Sequence, residues 1–248
     1  MFSEELIRRL LNASRVAVLT GAGISAESGV PTFRGKDGLW RRFRPEELAT
    51  VDAFLKNPAL VWEWYNYRRR IVTEVQPNPG HRALVELEKL VPDFAVITQN
   101  VDGLHQRAGS RKVLELHGNI LRSRCMRCGK PYTELTFDNG EVPRCDCGGL
   151  IRPDVVWFGE MLPQDVLEEA YHYARTASVF LSVGTSALVH PAASLPLEAR
   201  AYGAYVVEIN PETTPITHEV DEHISGKAGE ILPKLVETLR RSKAEARN

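Results

Sequence analysis

Val16-Ala17-Val18-Leu19-Thr20-Gly21-Ala22-Gly23-Ile24-Ser25-Ala26 is the stretch that decides the fold. Val16 to Thr20 carries no charge and does not alternate, as expected of a parallel strand buried on both faces. It stops in a glycine-rich turn, and Gly21 to Ala26 fits G-x-G-x-x-G/A directly after the strand. Small residues there let a backbone approach a pyrophosphate, which exposed N–H groups or a helix N-terminus can bind. The loop alone reads equally well as a tight strand-to-helix turn with no ligand. The acidic residue that a dehydrogenase carries about 20 positions further on is missing from a second strand end. Asp37 and Glu46 lie near that distance, but in a segment without a strand-like run. The expectation is a dinucleotide site built differently from a dehydrogenase's.

Working outward, comparable short apolar runs recur at Phe94–Thr98, Val113–Leu116, Val179–Val183 and Tyr205–Ile209. Helical patterns at Ser3–Leu11, His81–Leu90, Asp165–Ala174 and Ala192–Tyr202 precede or separate them. Alternating strands and helices predict an α/β fold, a doubly wound, Rossmann-like parallel sheet. Two stretches break the alternation and read as insertions. The expected division is a sheet domain of residues 1–34, 80–118 and 152–248. A smaller lobe would combine a helical insertion, 35–79, with a zinc-binding module, 119–151. The cleft between them is the default ligand site.

In an open parallel sheet, ligands bind beyond the carboxyl ends of the strands. Those ends carry Gln99-Asn100-Val101-Asp102, His117-Gly118, Gly184-Thr185-Ser186 and Asn210-Pro211-Glu212. His117 alone among the histidines sits directly at a strand end, where an imidazole titrating near neutrality suits a general base. His81, His105, His172, His190, His218 and His223 lack that placement and read as structural.

The four cysteines form two close pairs, Cys125-x-x-Cys128 and Cys145-x-Cys147, with 16 residues between the pairs. Pro143, Gly129, Gly148 and Gly149 supply turns beside them. Four thiolates suit tetrahedral zinc and close its shell, so the expected ion is structural. The 248-residue chain, 43% hydrophobic and 25% charged, has a net charge of −1. That balance argues against a dedicated nucleic-acid binder. No apolar run approaches the ~20 residues of a membrane span. Without export or anchoring signals, the expectation is a cytoplasmic monomer with no membrane or direct nucleic-acid partner.

Taken together, these residues resemble the sirtuin (Sir2) family. The resemblance runs through Gly21–Ser25, Gly29–Arg34, Thr98–Asp102, Leu116–Gly118, the cysteine pairs, Arg152–Glu160 and Gly184–Ser186. It spans nearly the whole chain in the family's order. It implies an NAD-dependent protein-lysine deacylase that consumes NAD as a co-substrate. An acyl-lysine oxygen would attack the ribose carbon bearing nicotinamide. Nicotinamide would leave, His117 would take a proton from a ribose hydroxyl that attacks the resulting intermediate, and water would complete the reaction, giving free lysine and O-acyl-ADP-ribose. The resemblance also implies that Asn100 and Asp102 act with His117 in catalysis. The cofactor set it implies is Gly21, Ala22, Gly23, Ser25, Glu27, Thr32, Phe33, Arg34, Trp40, Gln99, Asn100, Val101, Asp102, Gly184, Thr185, Ser186, Asn210, Pro211, Glu212 and Ala228. Val155, Val156, Trp157, Phe158, Gly159 and Glu160 would pair with the substrate peptide as an added strand. Partners would be acylated-lysine proteins or peptides, chromatin proteins among them. Tyr65 and Arg68, three apart on one helix face, resemble the pocket of the subgroup that removes succinyl, malonyl or glutaryl groups. Arg would bind the acyl carboxylate bidentately while Tyr adds a hydroxyl. A mono-ADP-ribosyltransferase using the same NAD site is the alternative.

Overall fold

The computed structural model describes residues 2–32, 44–133 and 141–245. Helix α1 (Glu4–Leu11) begins at Ser3, whose side chain accepts the Leu6 N–H. Glu4 and Glu5 in its first turn and Arg8 and Arg9 in its last complement the helix dipole. Strand β1 (Arg15–Thr20) leads through the glycine turn to α2 (Ala22–Ala26). Three helices follow, α3 (Pro45–Leu48), α4 (Val51–Lys56) and α5 (Pro58–Glu74), then α6 (Pro79–Glu88). After β2 (Asp93–Thr98), α7 (Leu104–Ala108) and β3 (Val113–Glu115) comes a separate strand set, β4 (Gly118–Cys125), β5 (Pro131–Thr133) and β6 (Ile151–Val155). The remainder is α8 (Gln164–Thr176), β7 (Val179–Val183), α9 (Leu195–Ala201), β8 (Tyr205–Ile209), β9 (Glu222–Ile224) and α10 (Ala228–Glu245).

The large sheet has the order β3-β2-β1-β7-β8-β9, and every pairing is parallel. Alternate side chains feed two cores. Val16, Val18, Val96, Leu181 and Val207 pack with α1, α6 and α10 on one face. Ala17, Leu19, Ile97, Phe180 and Val206 pack with α8 and α9 on the other. Strands buried on both faces explain the unbroken apolar runs of the sequence. The edge strand β9 goes beyond the expected five, since Glu222-His223-Ile224 is too short and polar to announce itself.

The small sheet is antiparallel, in the order β5-β4-β6. β6 pairs with β4 from Gly118↔Val155 to Cys125↔Ile151. Residues 152–155, which the sequence division gives to the sheet domain, are therefore bonded into the small sheet. Helix α5 lies against it. The fully buried Trp62 donates its indole N–H to the Ile151 carbonyl at 3.0 Å. Arg69 donates to the carbonyls of Ile120 and Arg122 at 2.6 and 2.9 Å. A third core of Phe54, Val61, Trp62, Tyr65, Ile120, Ile151 and Trp157 fills the space between.

Candidate active site

The strand order reverses between β1 and β7, where an open parallel sheet leaves a crevice at its carboxyl ends. The two strand-end loops meet there. Gly21 N–H donates to Val183 O at 3.1 Å, and Gly23 N–H to Gly184 O at 2.8 Å. A Cβ on Gly23 would lie 2.7 Å from the Gly184 Cα, and Gly184 itself adopts φ +59°. These glycines thus serve first to pack one loop on the other, and the packed pair forms a cavity floor. The cavity has a volume of about 930 Å³.

Its wall brings together most of the expected residues. Gly21, Ala22, Gly23, Glu27 and Thr32 come from the first loop; Gln99, Asn100 and Val101 from the end of β2; His117 from the end of β3. Gly184, Thr185 and Ser186 follow β7, Asn210, Pro211 and Glu212 follow β8, and Ala228 opens α10. Tyr65, Arg68 and Val155 through Glu160 line it as well, the Val156 N–H donating to His117 O at 2.9 Å. Phe33, Arg34 and Trp40 lie outside the described residues. Glu27 also has a structural partner, accepting the Gly229 N–H of α10 at 2.7 Å.

The His117 ring meets the Gln99 carbonyl at 3.0 Å through Nδ1. A carbonyl only accepts, so Nδ1 carries the hydrogen and Nε2 is left as the basic nitrogen of the neutral ring. Burial pushes its pKa down, against the raising effect of the Gln99 bond. Asn100 donates to Gly21 O at 2.9 Å and to Ser25 Oγ at 3.2 Å, bracing the end of β2 on the glycine loop. Gln99 donates to Thr185 Oγ1 at 2.9 Å.

Ser25 and Asp102 lie beneath this wall and do not line the cavity. Ser25 donates to Asp102 Oδ2 at 2.7 Å, and the Leu104 N–H donates to Oδ1 at 2.9 Å. Burial raises the Asp102 pKa against these two hydrogen bonds and the charges of Arg68 and Arg107. His81 extends the chain. Its Nδ1 accepts the Asn78 N–H at 3.3 Å, so Nε2 carries the hydrogen toward Ser25 Oγ at 3.4 Å. His105 packs against it, ring centroids 4.9 Å apart, and its Nε2 meets Thr20 Oγ1 at 2.9 Å. Burial drives His81 down to about 4 and His105 well below its usual value. The sequence reading sets both aside as structural; in the structure His81 adjoins the hydrogen-bond chain that holds Asp102. Its helix-capping position is legible locally, but its Ser25 partner lies 56 residues away.

Trp157 Nε1 donates to Tyr65 Oη at 2.8 Å. The tyrosine's own O–H is thereby left to donate elsewhere, and burial raises its pKa so that it stays protonated. Arg68 stands 5.5 Å over the Tyr65 ring, with burial lowering its pKa against the favourable presence of Tyr65 and Asp102. Arg152 stacks 3.3 Å over Trp157 and pairs with Glu160 at 2.5 Å. Glu160 also accepts the Trp157 N–H at 2.8 Å. Burial works to raise the Glu160 pKa, and the bonds from Arg152 and Trp157 outweigh it. These contacts fix the segment after β6, and Phe158 ties it to the helical insertion by donating its N–H to Ala49 O at 2.9 Å, in a parallel bridge with Thr50.

The sulfurs of Cys125, Cys128, Cys145 and Cys147 all lie within 4.8 Å of one another. Cys125 and Cys147 are 3.5 Å apart, and Cys128 and Cys145 3.6 Å. Tetrahedral zinc with bonds of about 2.3 Å needs sulfurs about 3.8 Å apart, so the donor set fits. Turns hold both pairs: Gly129 N–H returns to Cys125 O at 3.0 Å, and Gly148 N–H to Cys145 O at 2.7 Å.

A reversed strand order above packed glycine loops makes this an α/β protein with a dinucleotide-type crevice, and the thiol cluster adds a metal-binding module to it. Comparison with known proteins narrows the class. The Sir2 family pattern matches residues 21–191. An NAD-dependent protein deacylase of Aquifex aeolicus is 58% identical over 227 residues, covering 91% of this chain and 95% of the relative. A Sir2 homolog–NAD complex is 49% identical, covers 98% of this chain and 95% of its own, and has a TM-score of 0.91. A Sir2 structure bound to a myristoylated histone peptide is 39% identical, covers 97% of both chains and has a TM-score of 0.79. The chain belongs to the Sir2 family. No helix among the described residues is long and apolar enough to cross a membrane.

Proposed function

We infer that this chain is an NAD-dependent protein-lysine deacylase with one structural zinc, and we propose that it accepts acyl groups ending in a carboxylate besides acetyl. The deacylase reading rests on family membership and on the fit of His117 and the glycine-lined cavity to an NAD site. The finer reading rests on one observation. A buried arginine and a buried tyrosine line the same cavity as His117. A cation in that position favours a buried carboxylate, and a guanidinium binds one through two N–H groups.

NAD supplies an activated ribose carbon whose bond to nicotinamide breaks. The residues of this chain bind, orient and move a proton. Gly184, Thr185 and Ser186 hold the phosphates, and Asn210, Pro211, Glu212 and Ala228 face the adenosine end. Asn100, braced by Gly21 and Ser25, shapes the nicotinamide-ribose pocket, with Asp102 fixing Ser25 from below. His117 receives a ribose hydroxyl proton at Nε2. The acylated peptide lies along Val155 to Glu160 as an added strand, so main-chain bonds give affinity with little demand on sequence. An amide oxygen is a weak nucleophile, and a closed cleft offsets that by alignment and exclusion of water. Acylated-lysine proteins, chromatin proteins among them, fit this groove, and the peptide-bound relative supports it. The sheet domain would carry NAD, and the lobe of residues 35–79 and 119–151 the acyl group. Among the described residues, no feature of the site favours the mono-ADP-ribosyltransferase alternative.

Mass spectrometry with NAD and matched acetyl- and succinyl-lysine peptides tests both levels. The expected result is O-succinyl-ADP-ribose formed faster than its acetyl counterpart. Arg68→Met should cut the succinyl-to-acetyl ratio of kcat/KM about 10- to 100-fold, the worth of a charged hydrogen bond. Acetyl product alone would keep the deacylase and remove acid recognition. Neither product would remove both.

A further inference from the structure

Glu208 lies in β8 with its side chain fully buried. A carboxylate so placed needs partners. Two come from the loop that follows the strand. Thr214 Oγ1 donates to Oε1 at 2.5 Å, and Thr217 Oγ1 donates to Oε2. On the neighbouring strand, His223 Nε2 stands 3.9 Å from Oε2. The loop hydroxyls are themselves ordered, since the Thr214 N–H donates to Thr217 Oγ1 at 2.8 Å. The same loop walls the cavity from Asn210 through Pro215. Its start is tied by Asn210, which donates to Thr185 O at 2.8 Å. Its far side is tied by Glu208. Between the two anchors stand the exposed residues Pro211, Glu212 and Thr213.

We propose that Glu208 is a positioning residue for NAD: its two carboxylate oxygens, each holding one threonine hydroxyl, set the shape in which the 210–215 loop receives the adenosine end. The residue touches no substrate and acts through the loop. Two hydroxyl donors call for two acceptors, which a carboxylate provides and an amide does not, since its nitrogen only donates. The proposal rests on the reading that Asn210 and Glu212 face the adenosine end.

The test uses the full chain with Glu208→Gln and Thr214→Val, two near-isosteric changes, and Asn210→Ala as control. Steady-state kinetics give KM for NAD, KM for the acyl peptide, and kcat; calorimetry with ADP-ribose gives Kd. Glu208→Gln should raise KM for NAD and Kd for ADP-ribose about tenfold, with kcat at saturating NAD within about twofold. Peptide KM should not move. The double variant should lose less than the sum of the singles, because both break one linkage. A folded Glu208→Gln with parental NAD KM, beside an Asn210→Ala that raises it, overturns the positioning role. Equal falls in kcat and thermal midpoint with unmoved KM also overturn it, as a purely structural effect. If Asn210→Ala also leaves NAD binding unmoved, the adenosine assignment fails and the proposal falls with it.

Discussion

Val18 and Leu181 of the large sheet are fully buried between helices on either face, and the strands that carry them run all parallel. The small lobe adds directional linkages to its own apolar core. Trp62 and Arg69 reach from α5 to strand carbonyls, Arg152 is buried against Trp157 and Glu160, and four thiols gather at the far end. Both regions bury apolar area, which is non-directional; the small lobe depends in addition on particular donors, acceptors and a metal. The groups assigned to NAD belong mainly to the first, and Tyr65 and Arg68 to the second. On the proposed reading, a site divided in this way keeps NAD on the large sheet and sets acyl choice on the side that relies on these linkages.

The largest effect that would break this comparison is metal removal. Chelation, or Cys145→Ala, should abolish deacylation, since structural zinc in small modules carries on the order of 10 kcal/mol of folding free energy. Hydrogen exchange should then show protection lost in α5 and β4 to β6 but kept in β1, β2 and β7. Simultaneous loss in the large sheet would show that the two regions fold as one unit.

Next in size is His117→Ala, which should lower kcat about 10²- to 10⁴-fold, the usual worth of a general base. NAD affinity and zinc content should stay as they are. Because burial holds His117 below its ordinary pKa, the base is already neutral at pH 7. The acid limb of the parent's pH–rate profile should therefore fall below pH 6.5, the usual histidine value. A limb at or above that value would count against His117 as the titrating group.

Much of this was legible in the sequence, and unevenly so. The doubly buried strands showed because an unbroken apolar run has few other readings. The thiol cluster showed because its spacing is local. Edge strand β9 did not, since Glu222-His223-Ile224 carries no apolar signal. Ser25 and Asp102 were expected at the cavity wall and lie beneath it, because the face a loop residue presents is decided by partners distant in sequence. The same holds for His81. Its capping box with Asn78 is a four-residue pattern, whereas its approach to Ser25 exists only once α6 has packed beside the glycine turn. The chemistry of Gly23 was legible as smallness; what that smallness admits, a neighbouring loop at van der Waals contact, was not.

The smallest expected effect sharpens the contrast through pH. None of the seven histidines falls within 35–79 or 119–151, whereas His81, His105 and His117 cluster under and around the cleft floor on the large-sheet side. All three are held below their ordinary values by burial. A histidine whose folded pKa is depressed binds its proton more readily when unfolded. Its contribution is fully present above pH 6.5 and is lost as pH falls toward the folded value, which for His81 is about 4. One pH unit below 6.5, His81 alone should cost on the order of 1 kcal/mol. Denaturation of the parent at pH 7.5 and 5.5 should show a loss of at least that size, since all three histidines contribute, and His81→Gln should remove about its own share. Hydrogen exchange at pH 5.5 should place the weakening in α6, α7 and β2, with α5 and β4 unchanged. Weakening that starts in the small lobe would mean that acid acts there through some group other than a buried imidazole.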